Sequence, residues 1–202
     1  MKNEGHPEDG VLLTLPAWLA EMTSGAEIVL PDPEERLRWV IGLSRRNVEE
    51  RSGGPFAAAV FDAGSGRLLG AGVNRVEPLR LSAAHAEVVA IAFAQRAAGH
   101  WDLGREAANP RELVASAQPC LMCLGAVLWS GVTRLVYGAP AADVTSILGF
   151  DEGPLPADWT AELRKRGIDV AGGRLRAEAA AVLGLYMARQ GTIYNSRKGV
   201  RP

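Results

Sequence analysis

The stretch SAAHAEVVAIAF, residues 82–93, predicts a helix that carries apolar side chains on nearly every side from Val88 onward. A helix with no face to give to water has to be covered from more than one direction, which calls for a layered core. With 202 residues, 48% of them hydrophobic, the chain can build one such core and is short for two domains. Yet the stretch opens on His85 and Glu87, two groups that are costly to bury alone. Whatever the fold, it must set something opposite them.

The pattern on either side fixes the kind of layers. Residues 1–31 read as an N-terminal extension, with PAWLAEM (16–22) apolar enough to dock on the core. Asp32, with Glu35 three residues on, forms a capping-box pattern for a helix running to about Arg51. Leu37, Val40, Ile41, Leu43 and Val48 supply its buried stripe. After the break SGGP (52–55), FAAAVFD and RLLGAGVN flank AGSG and predict a β-hairpin. The helix of the opening stretch then runs to about Gly99, and ELVAS (112–116) predicts a strand. A helix follows in QPCLMCLGAVLWSG, with Pro119 just before its first turn, and then a strand in TRLVYGA. A short helix in ADVTSI, a helix–strand pair in TAELRKRG and IDVAGG, and a last helix in RAEAAAVLGLYMARQ complete the order. A hairpin followed by alternating helices and strands predicts an α/β fold, a mixed central sheet with helices on both faces. Residues 32–190 form the expected main domain, and 191–202 a polar, basic tail that is a candidate lid.

Charge narrows the function. The 22 basic and 23 acidic residues give a net charge of −1, whereas a protein built to grip a phosphate backbone is usually more basic. The local pairs Arg36 with Arg38 and Arg45 with Arg46 read as a solvated helix face. No apolar run approaches the roughly 20 residues that span a bilayer, and the acidic start MKNEGHPEDG does not resemble a secretory signal. A cytoplasmic protein is expected, without membrane or nucleic-acid partners.

The chain has two cysteines, Cys120 and Cys123, whose CxxC spacing suggests either a metal site or a redox pair. A thioredoxin-like site also puts CxxC at a helix start, but it does not require His85-Ala86-Glu87 upstream. Both unusual segments open helices that follow an extended or loop segment, the usual place for a ligand crevice in an α/β sheet. Helix-start N–H groups stabilise thiolates, and i, i+3 spacing puts both sulfurs on one face. His85 is the natural third ligand, because two thiolates and an imidazole favour zinc and leave its fourth corner open. The thiolates cancel the charge of Zn²⁺ and weaken its acidifying power, so a nearby base such as Glu87 is needed. A structural zinc site would need a fourth protein ligand, and neither His6 nor His100 has motif spacing.

His-x-Glu followed by Pro-Cys-x-x-Cys, with GGPFAAAV and MCLGAVLWSGV around them, resembles the cytidine-deaminase-like zinc hydrolases, most closely the bacterial guanine deaminases. That resemblance implies a three-layer αβα fold with one Zn²⁺ per subunit, held by His85, Cys120 and Cys123. It implies Glu87 as the proton-transfer group and Glu152 of GFDEG (149–153) as a second carboxylate, with Asp151 competing for the inward position. Phe56 and Trp129 would line a base pocket, Asn74 would bind the purine edge, and Tyr194 would come from the tail. Phe56 and Trp129 read equally well as core, and Asn74 as a turn residue. The implied reaction is hydrolysis of guanine to xanthine and ammonia, with amino-triazines as related substrates. The alternatives are a tRNA-specific adenosine deaminase and a cytosine or nucleoside deaminase with the same zinc site. A homodimer is implied as well, with the C-terminal tail a candidate for exchange between subunits.

Overall fold

The computed structural model describes residues 10–25, 27–105 and 108–195. Its centre is a five-stranded sheet in the order β2-β1-β3-β4-β5. β1 (Ala57–Asp62) and β2 (Leu68–Val73) form the expected antiparallel hairpin. β3 (Arg111–Ala117) joins β1 antiparallel, and β4 (Arg134–Ala139) and β5 (Asp169–Ala171) extend the sheet in parallel. The sheet is therefore mixed, as the element order predicted.

Two apolar layers enclose it. In β1, Ala57, Ala59 and Phe61 face one layer while Ala58 and Val60 face the other, the period-2 alternation of a strand buried on both sides. The first layer holds α1 (Ala17–Thr23), α2 (Pro33–Glu49), α6 (Ala141–Leu148) and α8 (Arg176–Ala188). The second holds α4 (Ala86–Ala98), α5 (Leu121–Ser130) and α7 (Trp159–Lys165). A short helix, α3 (Val76–Leu79), lies in the connection between β2 and α4 and was not anticipated from the sequence.

Local chemistry explains the helix ends. Asp32 caps α2 by accepting from Glu34 N at 2.8 Å, on the second residue of the helix rather than the third as a capping box would have it. The stripe Leu37, Val40, Ile41, Leu43 and Val48 is buried as expected. Arg36 is not on a solvated face. It is 1% exposed and pairs with buried Glu112 at 3.0 Å, while Arg38 stays half exposed. Helical spacing alone hid this, because Arg36 sits beside Leu37 at the edge of the buried stripe.

Helix α4 lies unusually close to the sheet. A Cβ at Gly72 would come within 2.5 Å of Ala86 O, and one at Gly70 within 2.4 Å of Ala94 N. Two glycines on one face of β2 thus meet Ala86, Ala90 and Ala94 on one face of α4, backbone against backbone. This contact fixes where α4 begins, and His85 and Glu87 stand at that beginning.

Candidate active site

His85 is the N-cap of α4 and Cys120 the N-cap of α5, both in extended backbone, with Cys123 in the first turn of α5. The β3–α5 connection ends at the carboxyl edge of the parallel strands, the crevice position of open α/β sheets. Packing of α4 on α5 brings the two helix starts together. His85 Nδ1 lies 3.5 Å from Cys120 Sγ and 3.5 Å from Cys123 Sγ. One donor atom from each of the three residues falls within 4.8 Å of the others.

These donors fit zinc. Zinc–sulfur and zinc–nitrogen bonds of about 2.3 and 2.0 Å, meeting at the tetrahedral angle, set sulfur and nitrogen about 3.5 Å apart. Both sulfurs stand at that distance from Nδ1. Among the described residues no other histidine or cysteine joins the group, so three protein ligands are available, and two of them, His85 and Cys120, line the cavity.

Electrostatics points the same way. The neighbouring Cys123 thiol lowers Cys120 to about 4, while the Cys120 sulfur, followed by burial, pushes Cys123 up. Burial of His85 works against its charge, but the Cys120 sulfur and the Glu87 carboxylate outweigh it and raise the imidazole. Glu87, 8% exposed with its carboxylate 3.3 Å from Cys123 Sγ, is raised by burial and then by Cys120. Glu152 is pushed up to about 8 by burial, then by Cys120 and Glu87. Two thiols and two carboxyls crowd around one imidazole, and a divalent cation at the donor triangle balances them.

The cavity above this cluster measures about 370 Å³, within the range of small-molecule sites. His85, Glu87 and Cys120 line it together with Phe56, Asn74, Glu152 and Tyr194, all named from the sequence. Asn74 N donates to Phe56 O at 2.9 Å, and Asn74 Oδ1 accepts from Val76 N at 3.3 Å. Asn74 Nδ2 is left buried with no protein partner, and so is Tyr194 Oη. Of the two acidic candidates, Asp151 turns its carboxylate back to Gly153 N at 2.9 Å, whereas the Glu152 carboxyl interacts with Cys120, Glu87 and His85. Leu121 N donates to Glu152 O at 3.0 Å, anchoring this loop to the start of α5.

Trp129 is a correction. It is 83% exposed and stands outside the cavity. The buried side of α5 is Cys123, Leu124 and Val127; two residues beyond Val127, a turn of about 200° puts Trp129 on the opposite side. Phe150, Gln118 and Asn195 line the cavity without having been anticipated. Phe150 packs between Phe56 (5.5 Å between ring centroids) and Tyr194 (4.7 Å). It lies inside GFDEG, and Gln118 directly precedes Pro119, so adjacency to the motifs was their one signal. Asn195 accepts from Asp151 N at 3.0 Å and donates to Gly149 O at 2.8 Å. The described part of the tail thereby closes on the cavity of its own chain. The lid expectation for residues 196–202 lies outside the described residues, as does His6.

Residues 32–139 match the family described as "Cytidine and deoxycytidylate deaminase zinc-binding region". Guanine deaminase of Bacillus subtilis is 33% identical over 119 residues, 59% of this chain and 71% of that protein. The solved structure of guanine deaminase from Nitrosomonas europaea is 47% identical, covers 91% of this chain and 100% of its own, and superposes with a TM-score of 0.86. A structure in complex with 2,6-diaminopurine is 48% identical over 94% of this chain and 98% of its own, again with a TM-score of 0.86.

Proposed function

The chain belongs to the cytidine and deoxycytidylate deaminase zinc-binding family, and from that membership we propose that it hydrolyses the exocyclic amine of guanine, giving xanthine and ammonia. One observation carries this reading. The donor triangle of His85, Cys120 and Cys123, with Glu87 beside it, floors a cavity into which buried Asn74 Nδ2 and Tyr194 Oη bring unused polar atoms.

The residues divide the work. Zinc held by His85, Cys120 and Cys123 supplies the Lewis acidity that makes water a nucleophile at neutral pH. Glu87 takes a proton from the attacking water and returns it to ring N3 as the water oxygen bonds to C2. Glu87, unprotonated again after the transfer to N3, then takes the proton of the new C2 hydroxyl. Through Glu87 and Glu152 that proton reaches the amine as the carbon–nitrogen bond breaks, so that ammonia leaves and C2 becomes the carbonyl of xanthine. Asn74 Nδ2 donates to the O6 and N7 edge of the base, and the Glu152 carboxyl accepts from its N–H edge. Phe56 supplies an apolar wall for the ring.

The size of the cavity, the tail residues Tyr194 and Asn195 beside it and the net charge of −1 favour a free base over a folded RNA. No helix among the described residues is long and apolar enough to cross a membrane, which accords with work in the cytoplasm on a soluble base. The same reading takes residues 32–190 as the catalytic unit and a homodimer as the working form. Leu121, Met122, Leu128 and Trp129, exposed on α5, offer the dimer an apolar contact face, and sedimentation at monomer mass would remove that part.

The test is ammonia release by zinc-loaded protein from guanine, guanosine, cytosine, cytidine and a tRNA anticodon stem-loop. Guanine is expected to be turned over fastest. Release from the stem-loop with none from guanine overturns the reading.

A further inference from the structure

We infer that the N-terminal extension belongs to the substrate site: Trp18 on α1 is a positioning residue that sets Asn74 through a directed chain of hydrogen bonds. This rests on the reading above, in which Asn74 binds the base.

The chain can be followed atom by atom. Trp18 Nε1 donates to Ser52 Oγ at 3.0 Å, and Ser52 Oγ donates to Asn47 Oδ1 at 2.7 Å. Asn47 Nδ2 then donates to Gly54 O at 2.7 Å and to Asn74 O at 3.1 Å. An indole N–H can only donate, so the single proton of Ser52 is left for Asn47, where Oδ1 at 2.7 Å is much the closer acceptor than the main-chain O at 3.4 Å. That fixes the orientation of the Asn47 amide and turns its N–H₂ toward the two carbonyls. Every bond runs in one direction, the arrangement in which each link polarises the next.

Burial makes the chain consequential. Asn47 is fully buried, and both of its donors end on main-chain carbonyls beside the cavity. The segment it holds has no slack: a Cβ at Gly53 would come 1.9 Å from Asn74 O, and one at Gly54 would come 2.6 Å from Tyr194 Oη. Asn74 is thus gripped at its N–H by Phe56 O and at its C=O by Asn47, while Nδ2 is left over for a ligand. α1 stays in place by burying Leu19 and by stacking Trp18 against the Arg46 guanidinium, 4.7 Å from the ring centroid. Trp18→Phe removes the donor together with one ring of the indole, whereas Ser52→Ala breaks the same relay with the indole and its contact to Arg46 intact.

The experiment is a double-mutant cycle with Asn74→Ala, read as KM and kcat for guanine alongside zinc content and melting temperature. Trp18→Phe should raise KM about fivefold, the weight of one net hydrogen bond, with kcat within about twofold of wild type. In the Asn74→Ala background the same change should add nothing to KM. Equal KM increases in both backgrounds, or a lowered melting temperature with KM unchanged, overturn the inference. Ser52→Ala repeats the cycle at the next link should Trp18→Phe fold poorly. If wild-type protein releases no ammonia from guanine, it is the substrate reading that fails. The relay is then judged from ¹⁵N-labelled protein, in which Trp18→Phe and Ser52→Ala should both move the Asn47 side-chain amide and Asn74 backbone amide resonances. Unmoved resonances overturn it.

Discussion

The two ends of β3 both bury charge, and they do so in opposite ways. At its start, Glu112 is fully buried, with Oε1 3.0 Å from Arg36 Nη1 and Oε2 3.1 Å from Arg134 Nε. Arg36 also donates to the carbonyls of Leu30, Pro31 and Ala63. Beyond the other end, three residues past Ala117, the cluster of Cys120, Cys123, Glu87, Glu152 and His85 has one basic group among four acidic ones. The first cluster draws its charge partners from within the chain, with Glu112 Oε2 meeting Arg134 as an ion pair and without a hydrogen bond. The second becomes balanced only with a cation and a ligand, so imbalance, rather than burial, marks the functional end.

The sharpest way to break this contrast is to remove a ligand of the triangle. Cys120→Ala should bind no stoichiometric zinc by elemental analysis and show turnover at assay background, with some loss of stability. Full zinc occupancy in that variant would refute the donor assignment. Glu87→Ala separates proton transfer from metal binding. It should retain zinc while kcat falls about 10³-fold or more. Its stability should hold or rise, because the carboxyl removed is one that burial disfavours in its charged form. Near-normal turnover would take Glu87 out of the mechanism.

The opposite end should respond in stability and hardly at all in catalysis. Glu112→Ala leaves Arg36 buried without its partner, a change that costs about 3–5 kcal/mol. Urea unfolding should show this loss, while KM and kcat per folded molecule stay near wild type. Replacing Arg36 by Met and Glu112 by Leu together should cost less than Glu112→Ala alone, since no charge is then left unpaired. A large kcat defect in Glu112→Ala protein that is fully folded would mean the two ends are coupled, and the division proposed here would fail.

The two ends also differed in how far the sequence revealed them. The functional end could be read because its chemistry is written in short-range spacing: His85 with Glu87, Cys120 with Cys123, each at a helix start that follows a strand or loop. The strands and most helices were legible for a related reason, since their apolar periods are local. The Arg36–Glu112 pair was hidden because its partners are 76 residues apart and Arg36 borders the polar side of its helix. Trp129 was misplaced because LMCLGAVLWS is apolar all round, so no period tells the buried side from the exposed one. Asn195 left no pattern at all, because its partners are main-chain atoms 44 and 46 residues away, and any sequence could supply those.

The smallest effect expected at the structural end concerns Asp62, which closes β1 beside the start of β3. Its carboxylate accepts from Ser65 N and Ser65 Oγ, each at 2.8 Å, and pairs with Arg111. The Ser65 backbone hydrogen bond, aided by the Ser65 hydroxyl and Arg111 against the cost of burial, holds Asp62 below the usual carboxylate range. A depressed folded value stabilises the protein above the unfolded carboxyl's titration at about 3.9, and the benefit disappears as pH falls through the folded value. Wild type should therefore exceed Asp62→Asn in stability by a constant margin, smaller than that of Glu112→Ala, from pH 7 down to about 5. Below that the two unfolding curves should converge, with zinc content and KM for guanine the same in both at neutral pH. A margin that persisted undiminished to pH 2 would show that the pairing is not electrostatic, and the ion network at this end of the sheet would reduce to the buried pair alone.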